Sequence, residues 1–196
     1  MRCLTAAIEG THTEVVRELF SDPAIAVAVM DDDQARAKRQ VNLGMCNALG
    51  LCGMRKDEAK ATRLYRLAAD QGNARGQRYL GICYEFARCG LAKDEKEAAR
   101  LFRLAADQGD ARGQCNLGVC YKYGRGGLAK DEKETVRLYR LAADQGDAAG
   151  QCNLGVCHGY GQGGLAKNEK EAVRLYRQAA EQGDARGQCN LGVCYE

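Results

Sequence analysis

The string QCNLGVC begins at Gln114 and returns at Gln151 and Gln188. Diverged copies, QRYLGIC and QVNLGMC, begin at Gln77 and Gln40, and every interval is 37 residues. A second string, LAADQG, begins at Leu67, Leu104 and Leu141, with QAAEQG at Gln178, again at intervals of 37. Self-similarity at such a period is the signature of stacked supersecondary units. The units divide the chain into 37–73, 74–110, 111–147, 148–184 and a partial 185–196.

Each unit carries two helical patterns. Helix A runs from about Ala111 to Tyr123, with Asp110 before it as N-cap and Asn73, Asp147 and Asp184 at the equivalent places. A short acceptor side chain there satisfies free backbone N–H groups. Helix A is apolar around most of its circumference, so it should be sandwiched between neighbours. Helix B runs from about Asp131 to Asp144, and its Leu138, Tyr139, Ala142 and Ala143 fall on one stripe. Asp131 with Glu134, Asp94 with Glu97 and Asn168 with Glu171 fit a capping box. A glycine-rich connector joins the helices, with Gly53, Gly90, Gly127 and Gly164 in phase, and Leu128 is expected to pin it to the core. Mid-helix Gly44, Gly81, Gly118, Gly155 and Gly192 also recur in phase. Each costs roughly 1 kcal/mol against alanine, so a close approach of helix A to helix B is expected there. The fold class is therefore all-α: an α-solenoid of antiparallel helix-pair repeats, wound as a right-handed superhelix.

The segments GQCNLGVCYKYGRGG from Gly113 and KETVRLYRLAADQG from Lys133 resemble the Sel-one-like repeat family, a relative of the tetratricopeptide repeats. The likeness covers about Ala37 to Glu196. Tetratricopeptide repeats proper have a 34-residue period and shorter loops, and fit less well. The resemblance implies an adaptor that assembles protein complexes. Three features depart from the family's pattern. Glycine (Gly76, Gly113, Gly150) stands where alanine is commoner, leucine (Leu101, Leu138, Leu175) replaces an aromatic, and the last unit has no helix B. Residues 1–36 lie outside the repeat. They are read as an atypical N-terminal helical cap, and TAAIEGTHTEVVRELFSDP within them resembles the helix pair of an ankyrin repeat.

Composition excludes several function classes. Net charge is only +3, with both signs interleaved, so no nucleic-acid footprint is present. The longest apolar run, Ala24 to Met30, is too short to span a bilayer and has no basic region before it. The cytoplasm is the default location, with the secretory pathway left open. Catalysis finds little to work with. The single serine, Ser21, has no motif around it, and the glycine-rich loops lack the lysine and hydroxyl of a P-loop. His158 follows Cys157, but adjacent helical residues point about 100° apart. Other units place Tyr84, Tyr121 and Tyr195 at that position, so His158 reads as a substitution in a packed tyrosine slot. An enzyme is not expected, nor is any cofactor.

Eleven cysteines are an odd count with no CxxC, which argues against both a disulfide framework and a zinc site. Cys115 and Cys120 lie about 140° apart on a helix. Cys46–Cys52 and Cys83–Cys89 differ, because Cys52 and Cys89 fall in the loop. Secreted members of the family join their two helices by disulfides, but helix B here carries no cysteine. Buried free thiols are the expectation, and no metal.

What remains is surface. On the helix A wheel Arg112, Asn116 and Tyr123 share the arc left free by the core, beside Val119. The equivalents are Arg75, Tyr79 and Phe86, then Asn153 and Tyr160, then Arg186 and Asn190. Asparagine can hold a peptide backbone by donor and acceptor together, and arginine can clamp a carboxylate. Stacked units would align these residues into a groove for a peptide or partner helix. The alternatives are that they are solvated or bond between repeats, leaving a structural spacer. Leu67, Leu104 and Leu141 on helix B are candidates for a second, apolar contact strip. Leu191, Val193, Cys194 and Tyr195 lack a covering helix B in 185–196, which predicts a longer parent protein or end-to-end self-association through that segment.

Overall fold

The computed structural model describes residues 33–194. Among them are nine α-helices and no strand: α1 (Asp33–Leu49), α2 (Glu58–Asp70), α3 (Ala74–Glu85), α4 (Glu95–Asp107), α5 (Ala111–Tyr123), α6 (Glu132–Asp144), α7 (Ala148–Tyr160), α8 (Glu169–Glu181) and α9 (Ala185–Val193). Odd-numbered helices are helix A of a repeat and even-numbered ones helix B. The fold is an all-α solenoid of helix-pair repeats. The chain divides into two compact units, Met1–Leu101 and Phe102–Glu196.

Hydrogen bonds show why each pair is antiparallel. The N–H at the start of helix B donates to a carbonyl near the end of helix A: Asp57 to Asn47 at 2.8 Å, Asp131 to Tyr121 at 3.2 Å and Asn168 to His158 at 2.9 Å. The other end is tied by glutamines, Gln71 to Gln40 at 3.0 Å, Gln145 to Gln114 at 2.8 Å and Gln182 to Gln151 at 2.8 Å. Helix A starts where it does because Asn73, Asp110, Asp147 and Asp184 each accept the N–H three residues on. The helix B caps work the same way, but only half of the expected capping box forms. Asp131 accepts from the Glu134 N–H, yet the Glu134 carboxylate turns to Arg137 at 2.6 and 2.7 Å. The Asp131 N–H already serves helix A, so the glutamate has nothing to cap. Glu97 with Arg100 and Glu171 with Arg174 repeat the arrangement.

In the first unit α1, α2 and α3 pack in succession around Val41, Met45, Ala61, Tyr65, Leu80 and Cys83. α1 extends to Asp33, into the segment read as a cap, and Arg36 stands where later repeats carry an N-cap Asn or Asp. The remainder of that segment, 1–32, lies outside the described residues, as does Tyr195. In the second unit Cys115, Tyr139, Ala142, Leu154, Cys157 and Leu175 form one core cluster. Cys152, Ala172, Tyr176 and Ala179 form another, with Leu191 of α9 against it. Full burial of a leucine- or phenylalanine-sized side chain is worth roughly 1.5–3 kcal/mol, so these clusters dominate the stability of each pair.

Two glycine positions set the packing distance. A Cβ at Gly44, Gly118 or Gly155 would stand 2.6–2.7 Å from Cε1 of the helix B tyrosine, Tyr65, Tyr139 or Tyr176. The opening glycine of helix A, where the family prefers alanine, meets the preceding helix B. Cβ atoms at Gly76, Gly113 and Gly150 would lie 2.6–2.8 Å from those of Ala68, Ala105 and Ala142. In the connector, Gly53, Gly90, Gly127 and Gly164 all have positive φ, between 72° and 83°. Leu91 and Leu165 pack against the clusters as loop anchors.

Candidate functional site

Within the second unit the A helices lie side by side, α5 against α7 and α7 against α9. Their free arc carries the residues singled out from sequence. Tyr123 and Tyr160 close α5 and α7 and are 51% and 76% exposed. Asn116 and Asn153 sit two helical turns earlier on the same stripe, partly buried, with Val119 and Val156 between them and the tyrosines. The guanidinium of Arg125 and the ammonium of Lys122 lie 5.0 and 5.6 Å from the Tyr123 ring centroid, so this ledge is aromatic and basic.

The polar side chains of this arc also bond from one repeat to the next. Asn153 donates to the Cys115 sulfur at 3.3 Å, and Asn190 to the Cys152 sulfur at 3.5 Å. Sulfur is a weak acceptor, so these contacts orient the amides more than they stabilise the stack. Arg112 pairs with Asp147 at 3.4 Å while its side chain stays 59% exposed. Arg186 donates to Asn153 at 3.4 Å and lies 3.7 Å from Asp184.

In the first unit the matching residues are arranged differently. Tyr79 is half-buried and stacked on Tyr65 at 5.1 Å, with the Arg78 guanidinium 4.4 Å from its ring centroid. Arg75 reaches back to the Met45 sulfur at 3.9 Å. Phe86 is 55% exposed, as Tyr123 is. On the helix B side Leu67, Leu104 and Leu141 are all exposed.

One feature of the second unit was legible only as an irregularity in the repeat. Tyr84 and Tyr121 accept hydrogen bonds from Arg66 at 3.3 Å and Arg103 at 2.8 Å. His158 at that position has no hydroxyl to offer Arg140, and its Nδ1 is buried with no partner among the described residues. A cleft of about 300 Å³ opens there, lined by Arg140, Gln151, His158, Glu171, Arg174 and Gln178. Its one strong pair is internal, because the Arg174 guanidinium holds the Glu171 carboxyl below its ordinary range.

All described cysteines are free. Cys115, Cys120, Cys152 and Cys157 are buried small hydrophobes, and burial pushes the Cys115 thiol up to about 12 and raises those of Cys152 and Cys157. Among the described residues no cluster of His, Cys, Asp or Glu could hold a metal ion, and no helix is long and apolar enough to cross a membrane.

The Sel1 repeat model matches residues 40–73, 74–110, 111–147, 148–184 and 185–196. The chain belongs to the Sel1 repeat family. Solved structures agree. A Sel1 repeat protein from Oxalobacter formigenes is 32% identical with a TM-score of 0.68, over 94% of this chain and 74% of that one. The protective antigen c5321 of uropathogenic Escherichia coli strains is 31% identical with a TM-score of 0.65, over 80% of this chain. This Sel1 repeat chain spans 33% of that antigen's length. Helicobacter pylori cysteine rich protein B shares the fold, at 24% identity and a TM-score of 0.52, over 69% of this chain and 96% of that one. No curated protein matches the sequence.

Proposed function

We propose that the helix A face binds a peptide segment or partner helix of another protein, so that the chain acts as a non-catalytic scaffold in complex assembly. The observation that carries this reading is the pair Tyr123 and Tyr160, at the same place in consecutive repeats and at least half exposed. An exposed tyrosine ring is a large apolar surface with a polar tip, suited to a partner's contact. Asn116 and Asn153, the latter with its amide oriented by the Cys115 sulfur, supply donors and acceptors for a partner's backbone. Arg112 and Lys122 add positive charge, which favours a segment bearing carboxylates. Membership of the Sel1 repeat family supports the same reading.

The test is selection of binders from a displayed peptide library, followed by titration of the Tyr123→Ala/Tyr160→Ala double variant. Both side chains are solvated, so the variant should melt as the parent does and bind selected peptides at least about tenfold more weakly, a loss of roughly 1.4 kcal/mol. Undiminished binding by the variant would place the contact elsewhere. A second reading, a spacer without peptide binding, is favoured by the bonds of Asn153 to Cys115 and Arg112 to Asp147, which employ groove residues within the stack. It predicts that the library yields no binder to this face.

A further inference from the structure

We propose that Cys46–Cys52 and Cys83–Cys89 are two redox-active dithiols, each closing to a disulfide within its own repeat by exchange with a low-molecular-weight disulfide such as oxidised glutathione. The turn after helix A has one design in successive repeats. The carbonyl of the last helix A cysteine accepts the N–H five residues on: Leu51 to Cys46, Arg88 to Cys83 and Arg125 to Cys120, each at 2.9 Å. The residue that follows this donor is left-handed. Its φ is 58° at Cys52 and 59° at Cys89, against 66° and 64° at the equivalent Gly126 and Gly163. Glycine is the residue this backbone favours, and an L side chain there is strained. The strained replacement is made twice, both times by cysteine and both times opposite a cysteine. At Cys52 a small core hydrophobe does not account for it, since that residue is exposed, whereas Cys89 is buried in the core of its repeat.

The geometry gives each replacement a partner. The Sγ atoms of Cys46 and Cys52 are 3.7 Å apart, and a disulfide needs about 2 Å. The remaining movement falls at the end of a loop whose base is already tethered to Cys46 by the Leu51 hydrogen bond. The Cys83 thiol, across the same turn, holds the Cys89 thiol below its ordinary range in spite of its burial. Cys83, which keeps its proton, is pushed up correspondingly. The Thr62 hydroxyl donates to the Cys89 carbonyl at 2.7 Å, which fixes the loop.

The Cys89 thiolate attacks one sulfur of oxidised glutathione. The glutathione disulfide bond breaks, and one glutathione leaves as thiolate and takes a proton. Cys83 loses its proton and attacks the Cys89 sulfur, expelling the second glutathione. Two protein thiols are oxidised and one disulfide is reduced to two thiols. Cys52, the exposed member of its pair, begins the same sequence and Cys46 completes it. In the second unit Gly126 and Gly163 offer no sulfur, so Cys120 and Cys157 stay reduced.

The experiment incubates the reduced full chain with oxidised glutathione, blocks remaining thiols with N-ethylmaleimide in denaturant, and reads tryptic peptides by mass. Peptide 40–55 should be unlabelled and lighter by two hydrogens, and peptide 79–88 should be joined to 89–93. Cys115, Cys120, Cys152 and Cys157 should be fully labelled. Cys52→Gly and Cys89→Gly restore the glycine of the other repeats, and each should abolish the link in its own repeat alone. Full labelling at both members of either pair overturns the proposal for that repeat. Disulfides joining Cys115 or Cys152 to other cysteines overturn its selectivity.

Discussion

Gly118 lies against the ring of Tyr139: a Cβ on Gly118 would stand 2.7 Å from the ring's Cε1 and 3.4 Å from the Leu138 Cβ. Tyr139 is 1% exposed, so the ring has nowhere to go. Gly118→Ala should therefore destabilise the chain by about 1–3 kcal/mol, against the roughly 1 kcal/mol that alanine gains in a helix. At Gly192 a Cβ would meet nothing within 4 Å. Gly192→Ala should leave stability unchanged or raise it by up to about 1 kcal/mol. Urea melts of the two variants should move in opposite directions, and a parallel shift would contradict the close approach.

The mid-helix glycine, the caps and the helix faces were legible in the sequence because each rests on spacing within a helix and recurs every 37 residues. Other features depend on contacts between distant residues. Glu134 turns to Arg137 because the Asp131 N–H is already given to Tyr121, one helix back. Tyr79 occupies a position read as groove, yet it stacks on Tyr65 of the preceding helix. The left-handed backbone at Cys52 and Cys89 is imposed by the turn and is foreign to cysteine's own preference. His158, which spacing flagged as a substitution in a tyrosine slot, lines a cleft, and its buried Nδ1 has no partner among the described residues.

His158→Tyr restores the side chain that Arg66 and Arg103 find in their repeats. A new Arg140 hydrogen bond and relief of the unpartnered Nδ1 should add about 1 kcal/mol and raise Tm. A lowered Tm would show that the cleft has a shape tyrosine cannot enter.

The buried thiols make the chain sensitive to alkali. Cys115 is pushed up to about 12 in the folded state, against an ordinary 9.0, and Cys152 and Cys157 are raised as well. A raised folded value means the unfolded chain ionises first. The thiols' contribution to stability is then complete below pH 9 and is lost as pH rises towards 12. Denaturant midpoints should fall across that window. At neutral pH a thiol reagent should reach Cys52, Cys189 and Cys194, which are exposed, well before Cys115, Cys152 or Cys157.

Leu67, Leu104 and Leu141 are 50%, 37% and 38% exposed. Changing all three to lysine should alter the urea midpoint by no more than surface substitutions do, within about 0.5 kcal/mol each. A loss of several kcal/mol would mean that the leucines cover their neighbours.

The central claim is that partners bind on the helix A face of the second unit. Hydrogen exchange of the full chain, with and without a saturating library-selected peptide, tests it most directly. Binding should slow exchange in α5 and α7, most strongly in the turns that carry Asn116, Tyr123, Asn153 and Tyr160, and leave α6 and α8 unchanged. Protection confined to α6 and α8, around Leu141 and the His158 cleft, would contradict it.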